Sequence, residues 1–181
     1  MTQSKWMVSM LAVATLVACG GGTRAELPAT KAPSAAVAAL LLPQAPSGGL
    51  GVDAAKAKGA AAQVVVTGRI ASTVRGLAAF TLMDSALPYC GEKNKEDNCK
   101  TPWDYCCESP ETYRKHALVV EARGADGKPL PSPSLGDLRL LDQVAVVGQL
   151  VVDEHGNHTV LATGWYREQR PNLPADTRWP E

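Results

Sequence analysis

Four cysteines fall within 18 residues, in the stretch Cys90-Gly-Glu-Lys-Asn-Lys-Glu-Asp-Asn-Cys99-Lys-Thr-Pro-Trp-Asp-Tyr-Cys106-Cys107. Thiols at this density do one of three things: they pair as disulfides, bind a soft metal ion, or cycle between oxidised and reduced forms. As disulfides, four cysteines allow three connectivities. One of these joins the neighbours Cys106 and Cys107, whose Cα atoms are only about 3.8 Å apart, below the usual disulfide range. The expected pairing therefore gives Cys90 and Cys99 one each of Cys106 and Cys107. Two such closures would constrain an insert with little apolar content by about 2–4 kcal/mol each. As a metal centre, four thiolates would satisfy tetrahedral zinc, or copper(I) among soft ions. The spacing C-x8-C-x6-C-C lacks the C-x2-C knuckle that presents two thiolates from one turn. A strained vicinal Cys106–Cys107 disulfide, easily reduced, is the third possibility.

Aromatic and cationic residues accompany the thiols. Trp103, Tyr105 and Tyr113, beside Arg114, could form a ligand-stacking surface. The favoured reading has Trp103 and Tyr105 pack against the disulfides as a miniature core of the stapled loop. Lys93 and Lys95 balance Glu92, Glu96 and Asp97, which describes a solvated loop rather than a basic patch. His155 and His158 sit at a polar turn and are expected to be exposed. The chain has no G-x-S-x-G, no H-E-x-x-H and no phosphate loop, so no catalytic residue is assigned and a non-enzymatic role is expected.

The fifth cysteine belongs to different chemistry. Lys5 precedes an apolar run, Trp6 to Ala18, that is free of acidic residues and ends Leu16-Val17-Ala18-Cys19. The run is shorter than the roughly 20 apolar residues of a membrane span and has the layout of an export signal. Leu16–Cys19 resembles the lipobox of bacterial lipoproteins. The resemblance implies that residues 1–18 are a signal peptide removed after Ala18, and that Cys19 carries a diacylglyceryl thioether. Two or three acyl chains make a stable membrane anchor. The location implied is the cell envelope, with the protein exported and held on a bacterial membrane. Four thiols then remain, an even set in an oxidising compartment, which makes disulfides the default expectation. Of 18 basic residues removal of the signal takes away Lys5, leaving 17 against 18 acidic ones. A near-neutral chain has no electrostatic footprint for nucleic acid.

The elements that must position the insert can be read from the hydropathy pattern. Residues 19–62 are rich in Ala, Pro, Gly and Ser, and are expected to form a flexible tether reaching about 35 Å. Within it, Ala35–Leu42 is an apolar run that could form a short helix docked on the domain or the membrane. Period-two alternation predicts strands over 64–70, 77–84, 117–123, 144–152 and 158–166, the last two as a hairpin. The cysteine insert, residues 85–116, falls between the second and third. One helical turn fits Ser134–Leu141, and residues 168–181, with three prolines, read as an irregular tail.

Two of these strands echo each other. Val64-x-Val66-x-Gly68-x-Ile70 and Val144-x-Val146-x-Gly148-x-Leu150 share V-x-V-x-G-x-[IL]. Glycine inside a strand marks a bend, a bulge or a barrel corner. Five strands with this glycine placement resemble the OB-fold, a small Greek-key barrel. The expected fold is thus mainly β, a five-stranded antiparallel OB-like barrel over residues 63–167. The resemblance implies a binding or scaffolding role for an unknown protein or small ligand. Single-stranded nucleic acid or an oligosaccharide is the alternative class of OB ligand, and a cysteine-held zinc or copper ion the alternative chemistry.

Overall fold

The computed structural model describes residues 31–93 and 104–173. The five expected strands are present as β2 (Ala61–Thr73), β3 (Ala79–Met83), β4 (Ala117–Glu121), β5 (Gln143–Val152) and β6 (His158–Gln169). They close a barrel in the order β2-β3-β4-β6-β5-β2, compatible with an OB-like fold. All of its pairings are antiparallel except β4 with β6, which run parallel at Val119↔Thr159 and Val120↔Val160. The barrel is therefore mixed rather than purely antiparallel. Alternation along single strands carries inside-or-outside information but not the direction of a neighbour, which is set by the long connection between β4 and β5.

The two echoing segments face one another across a single ladder. Val64 pairs with Gly148, Val66 with Val146 and Gly68 with Val144, so each glycine lies opposite the first valine of the other copy. Both glycines stand where backbones crowd. The β5–β6 register shifts between Val147 and Gly148, the bulge expected at a barrel corner. Val64, Val66, Ile70, Val144, Val146 and Leu150 point inward and are buried with Leu82, Leu118, Val120 and Val160. Phe80 and Trp165 meet edge to face at the centre, 5.7 Å between ring centroids, a favoured aromatic geometry.

Order begins earlier than the expected boundary at Gln63. Helix α1 (Ala35–Ala38) is capped by Ser34 and buries Val37, and the chain after it joins the barrel at Trp165. Leu42 N–H donates to the Trp165 carbonyl, and Trp165 N–H donates to Leu40. Strand β1 (Leu50–Gly51) runs parallel to β2, and helix α2 (Val52–Lys58) buries Val52 and Ala55. Few of these residues are large, which is why composition suggested a tether. A handful of fully buried small side chains, backed by strand hydrogen bonds, suffices to hold the segment on the barrel. Residues 19–30 lie outside the described part of the chain. The helical turn expected at Ser134–Leu141 is instead a pair of turns ending at Leu141.

Candidate functional site

The described part of the cysteine insert is fastened to one end of the barrel by Tyr105. This ring is 5% exposed and packs with Met83 at the end of β3 and Leu141 before β5. Burial of a side chain this size contributes about 2–3 kcal/mol. Tyr105 is thus a packing anchor of the insert, but onto the barrel rather than onto disulfides within the insert. Leu141, the lone described non-glycine with positive φ, at 68°, is held there by its N–H bond to the Ile70 carbonyl.

A second fastening is ionic. Arg69 on β2 forks onto Glu92, with Nη1 and Nη2 at 3.1 and 2.6 Å from the two carboxylate oxygens. Nη1 also donates to the Leu87 carbonyl, and the guanidinium lies 5.2 Å from the centroid of the Tyr89 ring. One side chain thereby ties the segment leading to Cys90 to the barrel wall. Bidentate, charge-assisted geometry of this kind is strong and directional.

Asp104 brings the two ends of the insert together. Its carbonyl accepts from Cys90 N–H at 2.7 Å, and its carboxylate accepts from Cys106 N–H at 2.8 Å. The result gathers three sulfurs. Cys90 and Cys107 Sγ are 3.3 Å apart, Cys106 and Cys107 Sγ are 3.8 Å apart, and all three lie within 4.8 Å of one another. A disulfide bond is about 2.05 Å long, so among the described residues no two sulfurs are at bonding distance. The expected two-disulfide framework is therefore not shown. Cys99 and Trp103, both part of the expected site, lie outside the described residues, as does Cys19.

After the thiols the chain enters α3 (Pro110–His116), capped by Ser109, whose hydroxyl accepts from Thr112 N–H at 3.0 Å. Its signals were present in the sequence: Ser then Pro at the first turn, Glu111 beside them, and Arg114, Lys115 and His116 at the end. The helix is clamped to α2 by residues that sequence reasoning passed over. Lys56 Nζ donates to the carbonyls of Arg114, Lys115 and Ala117, each at 2.8 Å, and His116 Nδ1 lies 2.7 Å from Asp53. Burial lowers the Lys56 pKa, opposed by the nearby Asp53. Asp53 N–H in turn donates to Asp84. No local pattern marks these contacts, because they join positions 31 to 63 apart in the chain.

Between α3 and the thiols runs an open groove of about 500 Å³, lined by Asp104, Tyr105, Cys106, Glu108, Tyr113 and Arg114. The structure thus brings together Cys90, Cys106, Cys107, Tyr105, Tyr113 and Arg114 from the expected site. His155 is exposed at the β5–β6 turn, as expected, whereas His158, the first residue of β6, is half-buried and lines a separate pocket with Lys56, Tyr113 and Arg114.

Among the described residues no group meets hydrogen-bond geometry at the buried Tyr105 hydroxyl, although the Arg69 guanidinium is near enough to act on it. Burial pushes its pKa up to about 12, with Arg69 pulling the other way. A phenol that ionises near 10 when unfolded and near 12 when folded stabilises the fold fully below pH 10, and that contribution is lost as pH rises through 12. The loss amounts to about 2–3 kcal/mol. Urea midpoints measured from pH 9 to 12 should fall in the native protein, and Tyr105→Phe should remove most of the fall. Tyr89, also raised by burial and then by Glu92, accounts for a remainder. An undiminished fall in Tyr105→Phe would show that another group is responsible.

Among the described residues no helix is long and apolar enough to cross a membrane. No protein family, curated protein or solved structure matches the chain.

Proposed function

We propose that the protein is a lipid-anchored component of a bacterial cell envelope whose OB-like barrel serves as a non-catalytic binding or scaffolding domain. The observation that carries the binding role is the groove beside the insert. Tyr113 and Arg114 line it next to Tyr105, which is anchored on the barrel. A mostly apolar concavity with a few polar groups is the usual form of a small-ligand site. Anchoring is supported by Leu16–Cys19, through which acyl chains would fix the domain to a membrane. The partner is then a protein or small ligand at that membrane.

One experiment in intact cells tests both halves. A photoreactive residue at position 113 should form an adduct that the same residue at Thr163, exposed and outside the groove, does not form. Fractionation of the same cells should find the protein with membranes, and Cys19→Ala should release it to the soluble fraction. Equal adducts at both positions would remove the groove as the binding surface. A wild-type protein that is already soluble would remove the anchor.

A further inference from the structure

We propose that Cys90, Cys106 and Cys107 form a surface binding site for a soft metal ion, copper(I) or zinc. The inference rests on where the sulfurs lie. With separations of 3.3 and 3.8 Å and a third no greater than 4.8 Å, a point equidistant from all three lies at most about 2.4 Å from each, against a zinc–thiolate distance of about 2.3 Å. An ion placed there touches all three sulfurs at bonding distance with little movement of the chain. The Cys106–Cys107 separation of 3.8 Å already equals the edge of a tetrahedral thiolate site, about 3.8 Å. The Cys90–Cys107 edge needs to open by about half an ångström toward that length, and Cys107, exposed at the surface, can supply this by side-chain rotation.

The scaffold that holds the sulfurs is independent of any ion. Asp104 bonds both Cys90 N–H and Cys106 N–H, Arg69 fixes Glu92, and Tyr105 sits against Met83 and Leu141. Ligands fixed beforehand by hydrogen bonds and packing bind a metal without the cost of ordering a loop. Adjacent cysteines such as Cys106 and Cys107 make poor disulfide partners but can both face one ion. Soft thiolates select copper(I) and zinc over hard cations. Among the described residues three thiolates face the ion, one fewer than a tetrahedral site takes, and Cys106 and Cys107 are exposed. The site lies outside the main barrel core, so the ion is not needed to fold the barrel. This suits capture or transfer of the ion more than a structural metal. The proposal depends on the sulfur geometry alone and stands or falls separately from the anchor and the groove.

The test uses the mature chain, purified without reductant under anaerobic conditions. Zinc and copper(I) are titrated in competition with a chromophoric chelator, and cobalt(II) serves as a spectroscopic probe. The expected result is one ion per chain with thiolate-to-cobalt charge-transfer absorption. Cys107→Ser and Cys90→Ser should each weaken binding by about 100-fold or more, beyond the 10–100-fold typical of outer-shell changes. The metal-free variants should keep the urea midpoint of the metal-free wild type. Affinity should also drop as pH falls, because the thiolates must lose their protons to bind. Stoichiometric binding that survives both substitutions would overturn the proposal, as would no binding by the reduced protein. Mass spectrometry of protein taken directly from cells supplies the other overturning result, Cys107 quantitatively in a disulfide and resistant to alkylation.

Discussion

Gly148→Ala is expected to destabilise the barrel by about 3 kcal/mol or more, enough to leave much of the protein unfolded, as read by urea denaturation. A methyl group at this position would be driven onto the Leu161 carbonyl oxygen, with the Leu161 carbonyl carbon at 2.9 Å and Ala162 Cα at 3.0 Å. All three atoms belong to the backbone of β6, in the strand pair with the most extensive register in the sheet. A side chain can rotate away from such a clash, but a paired strand cannot without breaking ladder bonds. Gly68→Ala should cost less. Its methyl group would meet the Met83 carbonyl oxygen at 2.6 Å, one backbone atom where Gly148 has three, and its other close neighbours, Leu82 Cγ and Val52 Cγ2, belong to buried side chains. Gly76→Ala provides the contrast. It has open space and only its φ of 80° to satisfy, so about 1–2 kcal/mol is expected. The ranking Gly148, Gly68, Gly76 is the measurable outcome. Equal costs at all three would mean that close strand approach does not dictate the repeated glycine.

That glycine also shows how far the sequence reaches. V-x-V-x-G-x-[IL] was legible twice, and with it the five strands and the barrel, because alternation and strand glycines are local signals. That the two copies pair with each other was not legible, since pairing is decided by closure of the whole sheet. The parallel contact of β4 with β6 escaped for the same reason. Nearer the site, an aromatic among cysteines points to packing within the insert, whereas the partners of Tyr105, Met83 and Leu141, lie over 20 residues away on either side. The gathering of Cys90 with Cys107 depends on Asp104 bonding both ends of the insert, which no cysteine spacing reveals. Helix α3 is a different kind of miss. Its cap and charge pattern are present in Ser109–His116, but a seven-residue helix that buries none of its side chains carries no apolar stripe to mark it. The segment over 35–58 was hidden by composition, since alanine and glycine look alike in a tether and in a tightly packed strap.

The C-terminal segment offers the other large effect. Read as an irregular tail, it supplies Arg170, whose Nε and Nη2 each donate at 2.7 Å to the two oxygens of Asp142. Asp142 is fully buried, and Arg139 N–H donates to it at 2.9 Å. The hydrogen bonds to Asp142 are the leading cause that raises the Arg170 pKa, so the cation is held at every accessible pH. Two charges in this position are not a simple gain, because desolvation offsets much of their attraction. Removing one partner is costly for the same reason. Arg170→Ala leaves a carboxylate in the interior without its counter-ion, and a loss of about 3 kcal/mol is expected, the lower part of the range because the arginine is itself 27% exposed. Asp142→Asn should cost somewhat less, since an amide keeps the shape and carries no buried charge. The damage should be local in origin. The Asp142 carbonyl accepts from Ile70 N–H, and Leu141, which supports Tyr105, is its neighbour. Urea midpoints for the two single variants and the double variant complete the cycle. Once Arg170 has gone, removing the charge at 142 should restore stability, so Asp142→Asn with Arg170→Ala should be more stable than Arg170→Ala alone. A double variant whose loss equals the sum of the two would show that the pair does not act as a unit, and that the tail is anchored by something other than this contact.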